Sequence, residues 1–270
     1  MYDEAKLLKF ATHAAEDAGK ALLRLFCSSK LFVRRKHDYP GSIVTNADRI
    51  SERIILAWIK RSKIRSTVVS EESGTLGFGS SDVVWAVDPL DGTLNYTKRI
   101  PHFAVSIGAL IKRKPVLGAV YNPFLDEMFT VKRGEKARLN GKPIHVSNRR
   151  FLRGSSLIFE WWNTEPSIPD PLRLEKDICR LTRNVRSPGS VALNLCSVAS
   201  GRFDGLITVF RKSPIYETAA GCLMVHEAGG RVTDSSGESW ESFSRSILAG
   251  GPHVHRQILS LVRRKNPVST

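Results

Sequence analysis

The chain has 270 residues, of which 41% are hydrophobic, and this is enough for one large or two small domains around a sizeable core. No run approaches the ~18 to 20 consecutive apolar residues of a membrane span, and the first residues lack the layout of a signal peptide, so we expect a soluble cytoplasmic protein. A formal net charge of +15 favours anionic ligands, but the charge alone does not choose between phosphorylated metabolites and nucleic acid.

The first sixty residues predict two amphipathic helices. Apolar residues recur with helical spacing between Leu7 and Leu25 and again between Ile50 and Ile59. The intervening segment, residues 34–42, is polar and basic and contains a Pro-Gly pair. We therefore expect this segment to form a loop or a mobile hairpin.

From residue 67 onward the pattern changes to short strands. Apolar and β-branched residues dominate five runs that are separated by turn-forming residues, which predicts a multi-stranded and largely antiparallel sheet. The five runs are residues 67–69, 83–87, 104–111, 116–121 and 127–131.

Past about residue 150, strands and helices alternate, which is typical of a mixed α/β layer. The predicted strands are residues 155–159, 203–209, 231–232 and 246–249. The predicted helices are residues 171–182, 190–199, 219–224 with an end at the Gly-Gly pair 229–230, and 253–262. Because no repeat or linker marks a boundary, the sequence predicts an α+β protein of two intimately packed halves, residues 1–150 and 151–270.

The most informative segment is residues 85–96, in which an apolar strand leads into Asp88 and Asp91. A carboxylate at a buried strand end costs free energy unless it is protonated, paired with a cation or bound to a metal. Hard oxygen ligands on a rigid strand suit Mg²⁺. Gly92 and Thr93 follow at the start of a helix or turn, where backbone N–H groups favour a phosphate. The segment therefore predicts a metal site beside a phosphate site.

Further acids lie elsewhere in the chain. Glu71 and Glu72 follow a predicted strand and precede a polar loop, residues 74–82, so they are expected at a strand end neighbouring Asp88. Glu217 lies in the first turn of a helix built from small residues, which lets another backbone approach closely. Each acid alone is explained equally well by a structural role, such as favouring a helix N-terminus, but their joint pattern favours a metal site.

The chain resembles the inositol monophosphatase family of Mg²⁺-dependent, lithium-sensitive phosphatases. Three motifs in family order carry the resemblance: Glu-Glu-Ser at 71–73, Asp-Pro-Leu-Asp-Gly-Thr-Leu-Asn-Tyr at 88–96, and Glu-Thr-Ala-Ala-Gly at 217–221 running into 227–230. Similarity at 44–48 and 186–194 extends it over most of the chain. It implies a layered αβαβα fold, usually a homodimer, whose first half carries the metal-binding motifs and whose second half completes the site.

The resemblance also implies the roles of individual residues. The implied metal ligands are Glu71, Asp88, the carbonyl of Leu90, Asp91 and Glu217. The implied catalytic residues are Glu71 and Thr93, which would orient the attacking water, and Asp48, which would help to hold a weakly bound third cation. The implied substrate-binding residues are Asp91, Gly92 and Thr93. Two metals could then activate water for in-line attack without a covalent phosphoenzyme.

The sequence departs from the family pattern at two places. The family usually has Asp where this chain has Glu217, and the longer side chain must fit a cation that demands near-ideal octahedral geometry. We expect Glu217 to remain a ligand. Residues 210–212 are Phe-Arg-Lys where inositol phosphatases commonly carry an acid. Arg211 is therefore a candidate for binding a second phosphate, although a solvated surface cation explains it equally well. Lys36 is a weaker candidate near the metals.

The sequence therefore predicts a Mg²⁺-dependent phosphomonoesterase that hydrolyses a small phosphorylated metabolite, most simply inositol monophosphate. Fructose 1,6-bisphosphate, 3′-phosphoadenosine 5′-phosphate and histidinol phosphate are alternative substrates, because the core motifs do not separate these branches. Two non-enzymatic alternatives remain. The net charge permits a nucleic-acid-associated protein, which is not favoured, and Glu217 permits a catalytically impaired family member.

Overall fold

The computed structural model describes residues 3–26, 28–36, 42–77, 82–161, 171–210, 214–240 and 244–265. Every predicted helix is present within these ranges, and one additional short helix follows Gly92. The helices are α1 Glu4–Phe26, α2 Asn46–Arg61, α3 Thr93–Thr97, α4 Pro171–Leu181, α5 Val191–Ala199, α6 Ile215–Glu227 and α7 Pro252–Lys265.

Fifteen strands occupy the same described ranges. Those of the N-terminal part are β1 Val33–Arg35, β2 Ile43–Thr45, β3 Thr67–Ser70, β4 Gly74–Gly77, β5 Val83–Asp91, β6 Ala104–Ile111, β7 Lys114–Asn122, β8 Glu127–Lys132, β9 Arg138–Leu139 and β10 Lys142–Pro143. Those of the C-terminal part are β11 Ser156–Trp161, β12 Asn184–Arg186, β13 Gly205–Val209, β14 Arg231–Thr233 and β15 Ser246–Gly250.

Two large sheets organise these strands. The first has eight strands in the order β10-β9-β8-β7-β6-β5-β3-β4 and is antiparallel except where β3 runs parallel to β5. The second has five strands in the order β12-β11-β13-β15-β14, with β11 parallel to β12 and β13 and β15 antiparallel to its neighbours. The largely antiparallel first sheet and the mixed second sheet agree with the sequence-based prediction.

The layers stack as αβαβα, which confirms the predicted fold class. Helices α1 and α2 cover one face of the large sheet around Leu22, Ile55 and Trp85. Helices α5 and α6 fill the space between the two sheets, and α4 and α7 cover the outer face of the smaller sheet. The division into halves at residue 150 stays a prediction.

Small residues set the distance between the two halves. Gly118 on β7 faces Ala220 on α6, and a Cβ added at Gly118 would lie 2.8 Å from the Cα of Ala220. Gly108 on β6 faces Ala219 in the same way, with an added Cβ 3.3 Å from the Cβ of Ala219. The small-residue helix therefore allows the close backbone approach that the sequence predicts, and it brings Glu217 to the large sheet.

Two loop predictions need comment. Residues 34–42 belong to a hairpin, because β1 pairs antiparallel with β2, although residues 37–41 lie outside the described residues. The polar loop predicted at 74–82 is wrong in part: residues 74–77 form β4, since the tight turn at 71–73 reverses the chain and allows pairing with β3. Within the described ranges, no helix is both long and apolar enough to cross a membrane.

Candidate active site

The paired acids meet at one end of the large sheet. Because β3 and β5 are parallel with Ser70 opposite Val87, Glu71 leaves β3 where Asp88 begins the last part of β5. The Glu71 amide donates to the Val87 carbonyl at 3.2 Å. Strand β5 continues to Asp91 with an irregularity in its pairing to β6, so its final residues leave the regular ladder at the site.

Burial and mutual repulsion perturb these carboxyl groups. Burial raises the pKa of Asp88 well above its usual range, and the charges of Glu71, Asp91 and Glu217 raise it further. Burial likewise raises the pKa of Glu217, and the charges of Asp91, Glu71 and Glu160 raise it further. Carboxylates from β5, from the turn after β3 and from the first turn of α6 therefore act on one another, as the sequence predicts.

Lys36 at the end of β1 offsets part of this negative charge. Its Nζ lies 2.8 Å from Oε1 of Glu71 and 2.5 Å from Oε1 of Glu72. Burial lowers the pKa of Lys36, but Glu71 and Glu72 outweigh that effect and raise it. Burial raises the pKa of Glu72 to about 7, despite the opposing hydrogen bond and charge of Lys36. The hairpin β1–β2 thus supplies a cation to the acidic cluster.

The donor set fits a hard divalent cation. Within the described ranges, no three His, Cys, Asp or Glu side chains converge closely enough to hold one ion. Glu71 instead forms an ion pair with Lys36, and Asp91 accepts hydrogen bonds from α5. The chemistry nevertheless suits a hard divalent cation, because the candidate donors are carboxylates and a backbone carbonyl, and a positive ion would offset the repulsion among these buried and half-buried acids. The candidate ligands are Glu71, Asp88, the carbonyl of Leu90, Asp91 and Glu217.

Asp48 and Thr93 form a second group beside the cluster. Thr93 Oγ1 donates a hydrogen bond that is shared between Asp48 Oδ1, at 3.1 Å, and the Leu90 carbonyl, at 3.0 Å. Asp48 also closes the capping box of α2, where its Oδ2 accepts from the Thr45 amide at 2.8 Å. Burial raises the pKa of Asp48 to about 6, although its hydrogen bonds with Thr45 oppose this shift. The cap of α2 therefore fixes the Thr93 hydroxyl.

The N-terminus of α5 holds Asp91. The Ser190 hydroxyl donates to Oδ2 of Asp91 at 2.5 Å, and the Ala192 amide donates to the same oxygen at 2.7 Å. The Val191 amide donates to Oδ1 at 3.3 Å. Burial raises the pKa of Asp91 to about 7, while the hydrogen bonds from Ser190 and Ala192 oppose the rise. A residue of the first half is thus oriented by a helix of the second.

Glu160 is the site residue that the sequence reasoning missed. It lies on β11 and is 3% exposed; its Oε1 accepts from the Gly189 amide at 2.6 Å and from Asn194 Nδ2 at 2.7 Å. Its other oxygen, Oε2, is buried without a hydrogen-bond partner among the described residues. Burial raises the pKa of Glu160, against the opposing effect of these two hydrogen bonds. An acid inside an otherwise apolar strand was the signal that could have identified it.

The turn after Asp91 requires glycine. Gly92 has φ of +87°, and an added Cβ would lie 2.9 Å from the His102 carbonyl. Asn95 then ties α3 to the second half, since its Nδ2 donates to the Pro188 carbonyl at 2.7 Å. Arg211, predicted to bind substrate, lies outside the described residues.

The chain is similar to known proteins over nearly its whole length. Residues 3–266 match the Inositol monophosphatase family. The chain is 36% identical over 262 residues to the Nus factor SuhB of Pasteurella multocida, covering 95% of this chain and 96% of that protein. It is 37% identical over 251 residues to Inositol monophosphatase 2 of Solanum lycopersicum, covering 90% and 93%. It superposes with a TM-score of 0.89 on the crystal structure of extragenic suppressor protein suhB from Bartonella henselae, at 33% identity and with 96% and 99% covered.

Proposed function

Because this chain belongs to the inositol monophosphatase family, we propose that it is a Mg²⁺-dependent phosphomonoesterase acting on a small phosphorylated metabolite. The observation that carries the proposal is the grouping of four acids from three separate elements beside the turn at Gly92: Glu71, Asp88, Asp91 and Glu217. They lie close enough for the charges of their neighbours to raise the pKa of Asp88 and of Glu217. Asp88 and Asp91 are buried, and Glu71 and Glu217 are half-buried beside them. A protein has little structural reason to group four acids in this way, because each raises the free energy of the others unless a cation or protons compensate.

The metal-holding residues are Glu71, Asp88, the carbonyl of Leu90, Asp91 and Glu217. Bound Mg²⁺ would lower the pKa of a coordinated water and offset the charge of the phosphoryl oxygens. Lys36 forms ion pairs with Glu71 and Glu72, so it would compete with a bound cation for the Glu71 carboxylate.

The remaining residues position the reactants. The Thr93 hydroxyl, fixed by Asp48, orients the attacking water together with Glu71. The amides of Gly92 and Thr93 bind phosphate, and Asp91 contacts the substrate. Orientation by groups that are already fixed lowers the barrier, because little entropy is then lost in the transition state.

The choice of substrate within this class of phosphatase rests on the name of one relative. The relative from Solanum lycopersicum is named Inositol monophosphatase 2, which supports inositol monophosphate as the first candidate. Fructose 1,6-bisphosphate, 3′-phosphoadenosine 5′-phosphate and histidinol phosphate stay as alternatives. Phe210, which is buried at the end of β13, provides no charge for substrate hydroxyls, and it weighs against a typical inositol site. The homodimer stays a prediction from the resemblance.

The test is phosphate release from these four substrates, with and without Mg²⁺, by the wild-type chain and Asp88→Asn. This replacement keeps the shape of the buried side chain but removes the charge of one proposed metal ligand. We expect one preferred substrate, an absolute need for Mg²⁺ and a loss of at least a hundredfold in kcat for the variant.

A second candidate function rests on the net charge of +15 and on the similarity to a protein named a Nus factor. It is that the chain acts chiefly as a nucleic-acid-associated protein. No turnover of any substrate, combined with nucleic-acid binding that weakens steeply as salt rises, would replace the phosphatase proposal with this one.

A further inference from the structure

A second cavity lies away from the acidic cluster. Its volume is about 550 Å³, within the range of small-ligand sites. The turn between β6 and β7, the end of β8, the C-terminal half of α6 and the segment after β14 form its walls. The lining includes Lys112, Arg113, Lys114, Arg133 and Trp240.

The charge of this basic cavity is strongly one-sided. Lys112, Arg113, Lys114 and Arg133 contribute four formal positive charges, and no Asp or Glu lies among the lining residues that the structure describes. His226 adds an ionisable ring, whose Nδ1 lies 3.4 Å from Oε1 of Glu227. The four cations are exposed around one concavity, so several of them can act on the same bound anion.

Backbone geometry fixes where two of these cations leave the chain, and a hydrogen bond fixes a third. Lys112 and Arg113 have φ of +49° and +66° in the turn between β6 and β7, a position where Asn and Gly are the usual residues. Arg133 Nε donates to the Pro115 carbonyl at 2.7 Å, which fixes the start of the guanidinium.

The topology separates this cavity from the proposed active site. Strand β6 begins at Ala104, which pairs with Asp91, and ends at the basic turn. Helix α6 carries Glu217 in its first turn and His226, which lines the cavity, in its last turn. At 1.5 Å per residue these two positions are about 14 Å apart along the helix. The basic cavity is therefore separate from the proposed active site and lies at the opposite ends of β6 and α6.

We propose that the basic cavity binds a compact oligophosphate anion. Four cations match the charge of a triphosphate group, and lysine and arginine are the usual protein donors to phosphate oxygens. Leu223, Val232 and Trp240 add an apolar wall, so the group could arrive as inorganic tripolyphosphate or as part of a nucleoside triphosphate. The proposal does not depend on the phosphatase activity.

The test is calorimetric titration of tripolyphosphate and of ATP into the full chain at low salt. EDTA is present so that divalent metals do not recruit anions to the acidic cluster. The pocket variant is Lys114→Ala with Arg133→Ala. The matched control is Arg138→Ala with Lys142→Ala, which removes the same net charge from exposed positions in the same sheet. Lys112→Glu provides a second pocket variant without truncation, and unfolding midpoints check that every variant is folded.

We expect one site per chain, affinity at least tenfold weaker in the pocket variants, and affinity within twofold of wild type in the control. Equal affinities for the two ligands would assign recognition to the phosphates, whereas tighter ATP binding would add the nucleoside. No binding by wild type, or equal losses in the pocket and control variants, would overturn the proposal. A single-stranded oligonucleotide that binds through the same residues while tripolyphosphate does not would assign the cavity to nucleic acid instead.

Discussion

At the scale of single residues, Glu217 decides whether the metal site is complete. Its side chain is one methylene longer than the Asp of the family, yet the charges of Asp91 and Glu71 act on it directly. If it is a ligand, Glu217→Gln removes one of four anionic groups. Apparent Mg²⁺ affinity, followed by calorimetry and by the Mg²⁺ dependence of phosphate release, should fall at least tenfold.

Glu217→Asp tests the alternative that Glu217 makes this chain a catalytically impaired member of the family. We expect this variant to change kcat by only a few-fold, because a competent ligand already occupies the site. A rise of a hundredfold or more would instead identify the natural chain as an impaired member of the family.

At the scale of elements, β11 controls α5 through Glu160. Its Oε1 holds Gly189 and Asn194, and the adjoining residues Ser190 and Ala192 orient Asp91. Glu160→Ala leaves the buried Asn194 amide group without an acceptor, which costs about 1 to 3 kcal/mol, and also removes the part-buried hydrogen bond from Gly189. We expect a lower free energy of unfolding in urea and, for the folded protein, weaker Mg²⁺ binding, since Asp91 loses its fixed orientation.

Glu160→Gln is the matched control, because its amide oxygen still accepts both hydrogen bonds. It should restore most of the stability lost in Glu160→Ala and most of the Mg²⁺ affinity. If Glu160→Ala is destabilised but the folded protein binds Mg²⁺ as wild type does, Glu160 supports the fold alone and does not position the ligand.

At the scale of the whole molecule, the contact between the large sheet and α6 unites the two halves. Gly118→Ala places a methyl group 2.8 Å from the Cα of Ala220, so α6 must move away from β7. Such overpacking costs about 1 to 3 kcal/mol, and the shift of Glu217 should weaken Mg²⁺ binding in parallel. Urea unfolding and calorimetry measure the two effects.

The control for this substitution is Gly77→Ala, where, chain neighbours aside, no atom of the described residues lies within 4 Å of the added Cβ. It should leave the free energy of unfolding unchanged or slightly raised, because alanine restricts the unfolded chain. A stable Gly118→Ala protein with unaltered Mg²⁺ binding would show that the halves tolerate a wider separation than the packing indicates.

The sequence by itself determined the elements and the acids of the first half. Helical and strand periodicities are local, so α1, α2 and the strands from β3 to β8 follow from neighbouring residues. The motif at 88–96 is likewise contiguous, and it identified Asp88, Asp91 and Gly92 without knowledge of the fold. The short strands β4, β9, β10 and β12 escaped, and β1 and β2 were anticipated only as a loop or mobile hairpin, because two to four residues carry too little pattern.

The tertiary structure alone decided which distant groups complete the site. Asp91 meets Ser190 across 99 positions of sequence, and Lys36 meets Glu71 across 35. Glu160 faces Gly189 across 29 positions. Such contacts depend on how the layers stack, and no local pattern encodes them. The same reason hid the basic cavity, because only the packing of the β6–β7 turn, the end of β8 and α6 brings Lys114 and Arg133 around one concavity.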